Sequence, residues 1–160
     1  MARVFTGAMS SRKFSLGKPP SFEVSADESA EIAARLGAEV AARFGPRDEA
    51  PLSLLLRDEA GALVAGLNGV VHWRWLYIRH LWVAPDARGQ GLGTRLIAAA
   101  EAAARDKGAV GAYIDTFEAA VAALYERLGF SRVGEIADFP VGRKRIFLSK
   151  RLGGAEAEGP

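Results

Sequence analysis

The chain has 160 residues, 49% hydrophobic and 25% charged, with a formal net charge of +2. These are the proportions of one ordinary globular domain able to bury its own core. It has no cysteine and only two histidines, His72 and His80, which excludes a disulfide framework, a thiolate metal site and a cysteine nucleophile, and leads us to expect no metal.

Basic residues are dispersed, apart from Arg143-Lys144-Arg145, so no nucleic-acid partner is expected. No apolar run approaches the about 18–20 residues that span a bilayer. Residues 1–20 lack the continuous apolar stretch of a signal peptide, so a cytoplasmic protein with no membrane partner is expected.

Taken in chain order, residues 1–20 mix Ser, Gly, Lys and Pro around isolated apolar positions and read as a flexible arm. Residues 21–152 read as one domain, and 153–160, rich in Gly, Ala and Glu, as a flexible tail. Residues 22–24 are expected to form a short first strand. Asp27 is the expected cap of a helix over 27–44, with Ile32, Leu36 and Val40 on one face. Glu31 with Arg35 and Glu39 with Arg43 are four-apart pairs on its exposed side. Gly45-Pro46 stops it.

Residues 51–57 and 62–75 read as an antiparallel pair joined at Asp58-Glu59-Ala60-Gly61, with Asn68-Gly69 marking a bulge or turn inside the second run. A strand over 77–83 ends at Pro85. A helix over 91–107 is expected to turn Leu92, Leu96, Ala99, Ala100 and Ala103 inward, and Gly108 ends it. A strand over 110–115 and a helix over 118–128 follow, the helix carrying Val121, Leu124, Tyr125 and Leu128 on one face and Gly129 at its C-terminal cap. Strands over 130–136 and 144–150 close the chain. The order β-α-β-β-β-α-β-α-β-β predicts an α/β fold, a mixed sheet with helices on both faces.

The chemistry is concentrated in Leu81-Trp82-Val83-Ala84-Pro85-Asp86-Ala87-Arg88-Gly89-Gln90-Gly91-Leu92-Gly93-Thr94. A strand ends at a proline, a basic glycine-rich loop follows, and a helix starts. Glycine lets the backbone take left-handed angles and approach a ligand closely. The unpartnered N–H groups of a helix start, with the helix dipole, form an anion site suited to a pyrophosphate. Arg88 adds a charge-assisted contact. Gly89, Gly91 and Gly93 alternate, so the dinucleotide fingerprint is not matched. The Gly-Lys-Ser/Thr of a phosphate-binding P-loop is absent too.

The pattern R-x-x-G-x-G after a strand of the type Leu-x-Val-x-Pro resembles motif A of the GNAT superfamily of acyl-CoA-dependent N-acyltransferases. Ala123-Leu124-Tyr125-Glu126-Arg127-Leu128-Gly129-Phe130 resembles its second signature, and Asp115-Thr116-Phe117, Phe139-Pro140-Val141-Gly142 and the strand ending at Leu152 resemble a bacterial subgroup. The resemblance covers about residues 51–152. It implies a central, mostly antiparallel mixed sheet splayed between its fourth and fifth strands, with acetyl-CoA as co-substrate in the gap.

It further implies direct transfer of an acetyl group to a primary amine in a ternary complex. The cofactor-binding residues would be Leu81, Trp82, Val83 and the run from Arg88 to Thr94, with the Val83 N–H on the thioester carbonyl. Tyr125 is the candidate general acid. His80, Asp115 and a water chain are the candidate bases, although Asp115 and Glu118 also have the spacing of a capping box.

The aromatic run from His72 to Tyr77 reads either as an acceptor wall or as cross-strand packing. The acceptor class, a small-molecule or peptide amine, stays open, and a homodimer is compatible with the pattern. The alternative function is a non-catalytic acyl-CoA-binding regulatory module on the same fold.

Overall fold

The computed structural model describes residues 24–153. The expected arm over 1–20 and residues 154–160 of the expected tail lie outside the described residues. So do residues 22 and 23 of the expected first strand, and Val24 is in no strand.

The elements are α1 (Ala30–Phe44), β1 (Ala50–Arg57), β2 (Leu63–His72), β3 (Trp75–Val83), α2 (Leu92–Asp106), β4 (Gly111–Thr116), α3 (Ala119–Arg127), β5 (Ser131–Ala137) and β6 (Lys144–Arg151). The six described strands form one sheet in the order β1-β2-β3-β4-β6-β5. Every neighbouring pair is antiparallel except β3 and β4, which α2 joins as a parallel crossover.

That parallel pair positions the site. Its register runs from Trp75 opposite Gly111 to Ile78 opposite Ile114 and stops there. β3 continues to Val83 and β4 to Thr116 without pairing each other, which is the expected opening between the two central strands. At the closed end Gly111 leaves no room for a side chain, because a Cβ there would stand 2.5 Å from the Trp75 ring.

Alternation divides the sheet into two unlike faces. Leu76, Ile78, Ala112, Ile114, Ile146 and Leu148 are buried in one core with Ile97, Ala100 and Ala104 of α2 and Ala122 and Tyr125 of α3. The intervening residues Tyr77, Tyr113, Asp115, Arg145 and Phe147 are only half-buried.

Several local expectations are corrected. The cap of α1 is Ser29, whose hydroxyl accepts from the Ile32 N–H, and not Asp27; serine there meets one of the unpartnered amides of the first turn. The Glu31–Arg35 pair forms at 2.7 Å. No residue of α1 is buried, and Ile32 and Leu36 stay more than half exposed. Its Val40 and Phe44 line an apolar hollow with Val71 and Trp73.

The strand expected over 62–75 ends at His72, because Trp73 and Arg74 form the β2–β3 turn at φ 45° and 62°. Such turns favour glycine and asparagine, so these two residues carry no turn signal. The bulge expected inside the second run lies instead on its partner: Asn68 and Gly69 pair with His80 and Ile78, which leaves Arg79 of β3 as the extra, unpaired residue. The buried stripe of α2 is Ile97, Ala100, Glu101 and Ala104, while Ala99 is exposed. Glu101 is taken inside because Lys150 meets both of its oxygens, at 2.8 and 2.9 Å, while donating also to the Leu128 carbonyl at 2.8 Å. The capping-box reading fails as well: Glu118 is itself the cap residue of α3 and makes no side-chain cap bond.

Candidate active site

The loop between β3 and α2 begins with a single helical turn at Pro85–Ala87. Gly89 and Gly91 both lie in the left-handed region, at φ 76° and 74°, and Gly91 is the N-cap of α2. No side chain caps this helix and its first turn holds no acid. Its first amides are therefore left for an anion. A Cβ on Gly89 or Gly91 would meet no protein atom within 4 Å, so the space over the loop is open. These features fit a pyrophosphate.

Arg88 donates from Nε to the Val83 carbonyl at 3.1 Å. That bond ties the loop to the free edge of β3. Ala84 gives its N–H to the Val64 carbonyl on β2. Since successive amides in a strand point to opposite edges, the Val83 N–H faces the other way, toward the fork where β4 has diverged.

Two adjoining cavities meet at this fork. One, of about 430 Å³, is lined by Leu81, Trp82, Val83, Arg88, the loop from Gly89 to Thr94 excluding Gln90, and Tyr125. The other, of about 610 Å³, is lined by Arg79, His80, Asp115, Glu118 and Tyr125, and shares Leu81, Arg88 and Val121 with the first. A larger hollow of about 940 Å³ between α1 and the β2–β3 turn is lined by Trp73 of the aromatic run but by none of the candidate catalytic or cofactor-binding residues. The chemistry converges on the two smaller ones.

Tyr125 belongs to both cavities, comes from the helix-covered face and is 5% exposed. Burial, then the charge of Asp115, raises its phenol above the usual tyrosine value, and its hydroxyl has no protein hydrogen bond among the described residues. His80 is exposed at the mouth of the second cavity. Asp115 is committed on the opposite face: one oxygen accepts from the Tyr77 hydroxyl at 3.1 Å, the other from Arg145 Nε at 2.7 Å. The Arg145 guanidinium sits 5.3–5.5 Å from the ring centres of Phe117, Phe139 and Phe147. The aromatic run divides between the turn and this face, where the Tyr77 and Tyr113 rings stack at 4.6 Å and His72 Nε2 lies 3.0 Å from the Tyr113 hydroxyl.

The model of the acetyltransferase (GNAT) family matches residues 19–130. The chain belongs to this family. The GNAT chain is 43% identical over 95 residues to the blasticidin-S acetyltransferase of Streptomyces morookaense, an alignment covering 59% of this chain and 70% of that one. It is 39% identical over 105 residues to an acetyltransferase of Agrobacterium fabrum, covering 66% and 77%.

A crystal structure of an Agrobacterium tumefaciens protein assigned to the acetyltransferases superposes with a TM-score of 0.74 at 36% identity, covering 82% of this chain and 99% of that one. One of an acetyltransferase from Bacillus cereus superposes at 0.69 and 23% identity over 81% and 97%, and shows the fold alone. The protein is thus an acetyl-CoA-dependent acyltransferase.

Within the GNAT domain, sequence reasoning missed Tyr77 and Arg145 as the partners of Asp115, and Lys150 as the partner of Glu101. One signal was available: in β6 Lys150 falls in step with apolar Ile146 and Leu148 while Arg145 falls out of step, which puts the two on opposite faces of a central strand.

Proposed function

We propose that the protein transfers an acetyl group from acetyl-CoA directly to a primary amine while both substrates are bound. One observation carries the reading: the uncapped start of α2, the unpaired edge of β3 at Val83 and the buried Tyr125 all border one continuous fork. When bound, acetyl-CoA supplies a thioester carbonyl carbon, to which the amine nitrogen bonds as the carbon–sulfur bond breaks.

The amides from Leu92 to Thr94 and the Arg88 amino groups hold the pyrophosphate. The Val83 N–H donates to the carbonyl oxygen as its charge grows. Tyr125 gives its phenolic proton to the departing sulfur; because burial keeps the phenol protonated, the donor is present throughout the neutral range. The proton lost by the amine leaves through the exposed His80 and solvent, and Asp115, held by Tyr77 and Arg145, lines the same cavity.

No cysteine is available for a cysteinyl acyl-enzyme. This reading places the enzyme in the cytoplasm. Because one relative is named for blasticidin S, that antibiotic belongs in the acceptor panel. Thiol release from acetyl-CoA across a broad panel of amines tests the reading. Turnover with some of them is expected, whereas tight CoA binding with no turnover on any amine would refute it.

A further inference from the structure

Resting on that reading, the charges of the second cavity define which amine it takes. Its lining holds Arg79, His80, Arg88, Asp115 and Glu118. Asp115 and Arg145 neutralise each other at 2.7 Å. Arg88 is bonded to the Val83 carbonyl and stands on the pyrophosphate loop. Two formal charges remain without an ion pair among the described residues, the Arg79 guanidinium and the Glu118 carboxylate.

Arg79 is exposed and lies on the face away from α2 and α3, with its guanidinium 6.0 Å from the Tyr77 ring centre. It makes no hydrogen bond to protein among the described residues, so all five of its donors are open. It directly follows Ile78, the last residue of β3 paired with β4, at the position where the fork begins. A planar fork of N–H donors beside an aromatic ring suits a carboxylate or phosphate held by two parallel bonds.

We infer that the acceptor is a zwitterionic amino compound, and that Arg79 binds its anionic group while its amine reaches into the fork. Glu118 is the one uncompensated acid at the same mouth and meets the ammonium form as it arrives from solution. Arg79 is then a specificity-determining residue. A simple alkylamine would leave its guanidinium without a partner in the complex and bind more weakly.

The test uses matched pairs: free L-amino acids against their decarboxylated amines, and phosphoethanolamine against ethanolamine. The acid-bearing member of a pair is expected to have kcat/KM about tenfold or more higher, the effect of one charge-assisted contact. The two sets separate a carboxylate site from a phosphate site. Arg79→Gln should collapse the ratio toward one by raising KM for the acid-bearing member, and Arg79→Lys should recover part of it. CoA affinity of each variant reports that the fold is intact.

Preference for the uncharged members, or an equal loss on both in Arg79→Gln, overturns the inference. If no pair is turned over, calorimetric binding of the same pairs in the presence of CoA decides. Selective binding of acid-bearing members that Arg79→Gln abolishes would sink the transfer reading while sustaining this one. Equal binding, or none, sinks this one.

Discussion

The two faces of the central sheet are made by the same strands and carry opposite kinds of residue. Under α2 and α3, every second side chain is aliphatic and nearly solvent-free, with Leu76, Ile78, Ala112 and Leu148 at 0–1% exposure. On the reverse, the intervening positions hold a stacked tyrosine pair and an arginine among three phenylalanine rings, with the Asp115 carboxylate bonded to both Tyr77 and Arg145. The covered face needs only complementary volume. The open face is fixed by directed polar contacts, which hold a shape that solvent or a substrate can reach. At the fork between β3 and β4, a group from the covered face, Tyr125, borders the same cavity as a group from the open one, Asp115.

The division can be broken from either side, and the largest effect is expected at the loop. Gly91→Glu puts a side chain on a left-handed residue and a negative charge over the amides of α2. CoA binding by calorimetry should fall by roughly a thousandfold or more. Near-normal affinity in a folded variant would remove the loop from the site.

Within the covered face, Lys150→Met leaves Glu101 buried with Arg105 alone, at 3.4 Å, and Leu128 without its donor. A loss of about 3 kcal/mol in denaturant unfolding is expected. A change near zero would mean that water or Arg105 replaces the lysine. At the junction, Tyr125→Phe should lower kcat by roughly a hundredfold while sparing CoA affinity. In the wild-type enzyme any decline from Tyr125 ionising should fall above its usual value of 10.0, since the phenol is shifted upward. An unaffected kcat would return Tyr125 to the core.

The smallest effect belongs to the open face. Burial, then the charge of Arg47, lowers the His72 imidazole below its ordinary 6.5. The unfolded chain therefore takes up that proton first, and the contribution of His72 to stability, complete above 6.5, is lost progressively as pH falls from that value toward the lower folded one. His72→Gln should flatten the drop in melting temperature between about pH 7 and about pH 5. An identical profile in the variant would show that other groups set it.

What could be read from the chain follows how local each signal is. The strand, proline, glycine loop and helix from Leu81 to Thr94 stand together because their chemistry is written within one turn of backbone. The Asp58–Gly61 turn likewise carries its own residues, with the Asp58 carboxylate accepting the Ala62 N–H at 2.8 Å.

The ion pair of Glu101 with Lys150 spans 49 positions and that of Asp115 with Arg145 spans 30. No local pattern announces such pairs, and a charged residue inside a helix stripe reads as solvated until its partner is known. The stripe of Ile32, Leu36 and Val40 is real in the sequence, yet α1 leaves it largely uncovered; periodicity tells which side of a helix is apolar and not what lies against it.

The bond from Arg88 to the Val83 carbonyl makes a strut of that side chain. One end is fixed to the edge where acyl transfer is proposed, and the other stands on the anion-binding turn, so the distance between them is set by the protein and not by the donor. On the proposed reading the enzyme would then work as a gauge of length: a thioester whose arm is shorter than that of acetyl-CoA would still seat its phosphates, but would stop short of the Val83 amide and gain nothing there.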